Sequence, residues 1–116
     1  MKAHSVDANN DHKLTFQATL QATRPGALNS VATVLSFEIL SSTEWAFIET
    51  FKPNYFVSIE AEIEAKLNAM AKYKTETKPF PFPRSSEGIR ALAMLRGAQA
   101  GVKFAEAFQV VRSISK

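Results

Sequence analysis

Both histidines of this chain fall in one short polar run, His4-Ser5-Val6-Asp7-Ala8-Asn9-Asn10-Asp11-His12, which also holds two carboxylates and two amides. Imidazole and carboxylate are the side chains a zinc-like cation takes when no thiolate is available. A ligating histidine also needs a neighbouring carboxylate or carbonyl to fix its tautomer. Asp11 beside His12 meets that requirement. The same residue types serve equally well as helix caps and turn formers, so the run has a structural reading next to the metal or acid/base one.

Composition narrows the setting. The chain has 116 residues, 46% hydrophobic and 22% charged, which suits one soluble globular domain (residues 1–116) with its own core rather than a disordered tail. There is no cysteine, which excludes disulfides, thiolate metal sites and a cysteine nucleophile. No apolar run is long enough for a membrane span and no signal-like segment opens the chain, so a cytoplasmic protein is expected. The net charge of +3 comes from basic residues scattered from Lys13 to Lys116 instead of gathered in a stripe, which argues against nucleic acid as a partner. Phe37, Phe47, Phe51, Tyr55 and Phe56 stand among apolar residues and read as core, not as base-stacking platforms.

Several elements must position these groups. Asn9 or Asn10 can cap a helix running to about Thr23, where Arg24-Pro25-Gly26 stops it. Leu14, Phe16, Ala18, Leu20 and Ala22 alternate with polar residues as in a strand, but the length and the Asn/Asp lead favour helix. Val31 to Leu40 reads as a strand with Leu35, Phe37 and Ile39 on one face and Ser36 and Glu38 on the other. A polar loop, Ser41-Ser42-Thr43-Glu44, follows, and a second short strand is expected near Tyr55 to Val57. From Ser58 an amphipathic helix is predicted, with Ile59, Ile63, Leu67, Met70 and Tyr73 on one stripe and a Glu62–Lys66 pair on its surface.

Lys78-Pro79-Phe80-Pro81-Phe82-Pro83-Arg84 excludes helix and central strand and predicts a stiff, extended connector. It either holds Arg84 toward an anionic group or simply leads to a Ser85 or Ser86 helix cap. A helix from Ser86 to about Ala100 ends at Gly101. The tail, Val102 to Val111, with anchors Phe104, Phe108 and Val111, reads as partly helical.

Taken together, D-x-N-x-D-H-x-x-T from Asp7 to Thr15, L-S-F-E-I-L-S-S-T-E-W from Leu35 to Trp45, F-K-P-N from Phe51 to Asn54, F-P-R-S from Phe82 to Ser85, and R-G-A-Q-A-G-V-K-F-A-E-A-F from Arg96 to Phe108 resemble the carboxy-terminal part of the PIG-L, or LmbE-like, N-acetylglucosaminyl deacetylases. The resemblance spans nearly the whole chain. It implies an α/β fold, a Rossmann-like three-layer αβα arrangement, of which this chain would hold two or three strands and three or four helices. The implied activity is hydrolysis of the acetamide of an N-acetylated sugar or sugar conjugate to amine and acetate. Zinc or another divalent metal would assist water and carbonyl, and a carboxylate would act as base.

By the same resemblance, His12 matches the family's last metal ligand and Asp11 the aspartate that supports it. Asn9 stands where some branches carry a second imidazole, and an amide there donates a hydrogen bond but shuttles no proton. Glu44, Trp45 and Arg84 are the expected substrate-binding residues. The family's His-Pro-Asp-Asp motif, which supplies two further ligands and the base, does not occur in these residues. A family fragment with an incomplete metal site is therefore expected, inactive alone and prone to self-association or to complementing an amino-terminal half, with a bare strand edge near Leu35, Phe37 and Ile39. The other function class is a non-catalytic sugar-binding or structural module built on the same fold.

Overall fold

Four strands and three α-helices account for the regular structure of the described residues, which in this computed structural model are 2–3, 10–26, 31–47 and 50–116. In chain order they are β1 (Lys2–Ala3), α1 (Asn10–Ala22), β2 (Thr33–Phe37), β3 (Tyr55–Ser58), α2 (Ile63–Ala71), α3 (Ser86–Ala100) and β4 (Ala105–Ser113), with a 3-10 turn at Thr43–Trp45 between β2 and β3. The strands form one mixed sheet in the order β1-β2-β4-β3. This is a small α/β fold. The chain divides into two compact units, residues 1–55 with 108–116, and residues 56–107.

In the first unit β1 runs parallel to β2, with Lys2 opposite Ser36 and Ala3 opposite Phe37, and β2 runs antiparallel to β4. Between β2 and β4 the register slips: Val34 faces Arg112 but Leu35 faces Val110, so Val111 is an extra residue. A bulge of this kind reverses which side chains point inward beyond it. β2 lies between two strands, although β1 covers only Ser36 and Phe37 of its outer edge. The Leu35, Phe37 and Ile39 side chains are half-buried, and the enclosed face of β2 is instead that of Val34 and Ser36.

Helix α1 packs on β1. It begins at Asn10, and the strand-like alternation of its sequence has a local explanation. Thr15, Thr19 and Thr23 each turn their hydroxyl back to the carbonyl four residues earlier, at 2.8, 2.8 and 2.7 Å. Back-bonded threonines keep the helical backbone satisfied while removing polar groups from the alternation. None of its residues is fully buried, but His12, Phe16, Thr19 and Leu20 are half-buried at helical spacing and form its inward stripe. At its carboxyl end the Arg112 guanidinium donates to the Thr23 carbonyl, a cation placed where the helix dipole favours one.

Within the second unit, α2 and α3 pack together through Ile63 and Leu67 on one side and Ile89, Ala93 and Gly97 on the other. Gly97 also allows the chain following α3 to come close: a Cβ there would lie 2.6 Å from the carbonyl oxygens of Val102 and Lys103. The helix ends as expected, with Gly101 in the left-handed region at φ 76° and Val102 donating to the Gly97 carbonyl at 2.9 Å. Ser85 is its cap, accepting from the Gly88 N–H at 3.0 Å.

Several expectations change here. The helix expected from Ser58 begins at Ile63; Ile59 is buried just past β3, its N–H donating to the Phe104 carbonyl at 2.9 Å. Lys66 pairs with Glu106 at 2.8 Å in place of Glu62, and Tyr73 lies exposed beyond the helix end. The proline-rich connector is not extended. It folds into successive turns closed by Phe82 donating to Pro79 and Ser85 donating to Phe82, and contains a cis Phe80–Pro81 peptide. The tail is strand β4, not partly helical. Of the aromatics expected in the core, Phe47 is 84% exposed and Tyr55 is exposed as well, while Phe37, Phe51 and Phe56 are half-buried. Among the described residues no helix is long and apolar enough to cross a membrane.

Candidate functional site

Two of the sequence motifs follow, in the chain, the paired strands β1 and β2 of the first unit. β1 and β2 are parallel, and their last residues, Ala3 and Phe37, sit opposite each other. The chain leaving β1 next enters α1, whose first turn carries Asp11 and His12. The chain leaving β2 enters the turn that carries Glu44 and Trp45. In open α/β sheets the region outside the carboxyl ends of parallel strands is where ligand-contacting groups collect, because successive connections all begin there.

On the first of these connections, Asp11 is exposed and sits where a carboxylate suits the positive end of the helix. His12 lies on the inward stripe, half-buried, with its Nδ1 closed off from solvent. An imidazole so placed is held in orientation by its helix, which a ligand requires and a merely packed histidine shares. Asn9, with His4 and Asp7, lies outside the described residues.

The second connection is a tight, self-satisfied turn. Ser42 and Thr43 both donate their N–H to the Ile39 carbonyl, at 3.1 and 2.9 Å, and the Thr43 hydroxyl accepts from the Ile39 N–H at 2.8 Å. Ser41 takes a left-handed backbone, φ 67°, uncommon for a residue with a side chain. Its N–H is held by the Glu44 carboxylate. With Ser42 and Thr43 buried beneath, Glu44 and Trp45 are turned outward, Trp45 at 47% exposure. Glu44 thus has a structural task, while the indole face of Trp45 is available to a flat apolar surface such as that of a sugar ring.

Arg84, the third expected binding residue, belongs to the second unit. Its Nη1 lies 2.9 Å from Glu76 Oε2, and its guanidinium stands over the Phe82 ring at 5.6 Å. It borders a pocket of about 310 Å³ whose floor includes Leu67, Met70 and Ile89 and whose rim includes Lys78 and Ser86. Lys78 and Ser86 were not singled out as site residues from sequence; the signal for them is that Lys78 and Arg84 bracket the Pro-Phe repeat.

The metal reading meets a definite limit. Structural and catalytic zinc sites take three or four protein donors. Among the described residues no group of three His, Cys, Asp or Glu side chains is gathered for a cation. His12 fits as one ligand with Asp11 beside it, and these residues alone do not form the site. No protein-family model matches the chain, and no curated protein matches it.

Proposed function

We propose that this chain supplies the last-ligand helix and the sugar-facing turn of a PIG-L-type N-acetyl-sugar deacetylase with a Rossmann-like three-layer sheet. The reading rests on the resemblance in sequence and on one structural observation. β1 and β2 are parallel, with Ala3 opposite Phe37, and in the chain the helix bearing Asp11 and His12 follows one of them while the turn bearing Glu44 and Trp45 follows the other, which supports a common ligand site. In this reading His12 is a metal ligand, Asp11 orients it, Asn9 donates a hydrogen bond to the reacting amide, and Trp45 and Glu44 receive the sugar. A divalent metal, when bound, would polarise the acetamide carbonyl and activate water. The remaining donors and the base come from a segment bearing His-Pro-Asp-Asp, so the chain works as a complementing part and not alone.

The test is reconstitution. The chain is mixed with zinc and a polypeptide carrying the His-Pro-Asp-Asp segment, and amine release from N-acetylglucosamine is followed. Activity is expected only in the complete mixture, with His12→Ala lowering it by about a hundredfold or more, the usual effect of losing a group that sets the reacting geometry. Absence of amine release with zinc bound, or full activity in His12→Ala, would sink the proposal. A second reading, a sugar-binding module without catalysis, draws on the outward indole of Trp45. It requires saturable binding of N-acetylglucosamine by the metal-free chain, abolished by Trp45→Ala and indifferent to His12→Ala.

A further inference from the structure

We infer that the pocket bordered by α2, the Thr77–Ser85 turns and the start of α3 is a binding site for a small organic monoanion: a carboxylate carrying a short apolar chain. It stands apart from the deacetylase reading of the first unit: every residue involved lies in the second unit, and Arg84, expected from sequence to bind the sugar, is assigned here to the anion instead.

Lys78 Nζ is 5.2 Å, and Arg84 Cζ 5.6 Å, from the centroid of the same Phe82 ring. Two cations that repel each other are therefore gathered at one aromatic side chain, each held by the ring's negative face. The carboxylate in contact with them is Glu76, at 2.9 Å from Arg84 Nη1; none of the ion pairs among the described residues includes Lys78. Two positive charges against one negative leave an excess of one at the pocket rim.

Charge and shape then select the occupant. An excess of one matches a carboxylate. A phosphate ester carries about −1.5 to −2 at neutral pH and would leave net negative charge beside Glu76. Below the cationic rim the floor is apolar, with Leu67 and Ile89 buried and Met70 half-buried, and a methionine adapts its shape to different chains. The volume of about 310 Å³ is at the small end of ligand pockets, roughly 300–1,000 Å³, which limits the chain to a few carbons. The Ser86 hydroxyl and the positive end of α3 at the rim have the same preference for an anion.

The experiment is calorimetric titration of the full-length, zinc-free chain with hexanoate, with hexanamide as the neutral isostere and with inorganic phosphate. Saturable hexanoate binding is expected, with hexanamide and phosphate each weaker by about tenfold or more, since one lacks the charge and the other the chain. Lys78→Gln changes an exposed side chain and should weaken hexanoate about tenfold, whereas Glu76→Gln should tighten it by removing the competing carboxylate. Circular dichroism of both variants establishes that they are folded. Equal affinity for hexanoate and hexanamide, indifference to both substitutions, or no saturable binding would overturn the inference. Phosphate binding more tightly than hexanoate would overturn the carboxylate assignment. None of these outcomes bears on amine release by the reconstituted deacetylase, so the two proposals fail separately.

Discussion

Ser36 has no solvent exposure, and its hydroxyl has no hydrogen-bond partner, although it lies in the middle of β2 between two paired strands. A buried hydroxyl left unsatisfied destabilises a fold by about 1–3 kcal/mol relative to a satisfied one, while alanine in its place carries no polar group to desolvate. Ser36→Ala is therefore expected to leave the stability unchanged or raise it by about 1 kcal/mol, read as the midpoint of urea denaturation. A loss of similar size would show that the hydroxyl has a partner. Sequence reasoning puts Ser36 with Glu38 on the face of β2 opposite Leu35, Phe37 and Ile39. In the structure the face of Val34 and Ser36 is the enclosed one, because what packs over a sheet, not residue polarity, decides which face is buried. His12 shows the opposite case. Its place in the first turn of a helix was legible from the Asn/Asp lead, but its position on the inward stripe follows from how α1 meets β1, which no local pattern encodes.

Among the elements, α3 was the most legible and β4 the least. Ser85 as cap, Gly101 as terminator and a run of good helix formers between them all act within a few residues, so the α3 boundaries follow from local chemistry. Phe104, just before β4, and Phe108 and Val111 within it stand at spacings of four and three, which imitate a helical stripe. Val111 is the extra residue of the bulge against β2, and a bulge depends on the partner strand, not on β4 itself. The α3–β4 connection yields a sharp expectation at Gly97. Alanine is the better helix former by about 1 kcal/mol. Its Cβ, however, would meet two carbonyl oxygens at 2.6 Å, and these belong to backbone held by the helix terminus. Overpacking of this kind typically destabilises by about 1–3 kcal/mol, so the net effect of Gly97→Ala should be a loss, seen as a lower thermal midpoint. A gain would mean that the connection after Gly101 yields easily.

On the scale of the molecule, buried apolar side chains are unevenly shared. Among the described residues, Ile59, Ile63, Leu67, Ile89, Ala93, Ala105 and Ala107 lie in the second unit, against Val34 and Phe108 in the first. Composition alone announces a chain able to build a core but cannot say that most of it collects around α2 and α3, because that depends on which helices meet. Local stability follows buried apolar contact, so the two units should open with different free energies. Native-state hydrogen exchange is expected to show amides of α3, with three buried residues, exchanging slower by about tenfold or more than those of α1, which has none. In the deacetylase we propose, the difference would bear on function, since α1 carries His12 and Asp11. A helix with little burial of its own gains most when a partner completes the surroundings of its first turn. Adding zinc and the His-Pro-Asp-Asp polypeptide should therefore slow exchange in α1 while leaving α3 nearly unchanged. Uniform exchange across both helices in the free chain would contradict the uneven core, and protection appearing in α3 instead of α1 would place the complementing contact away from His12.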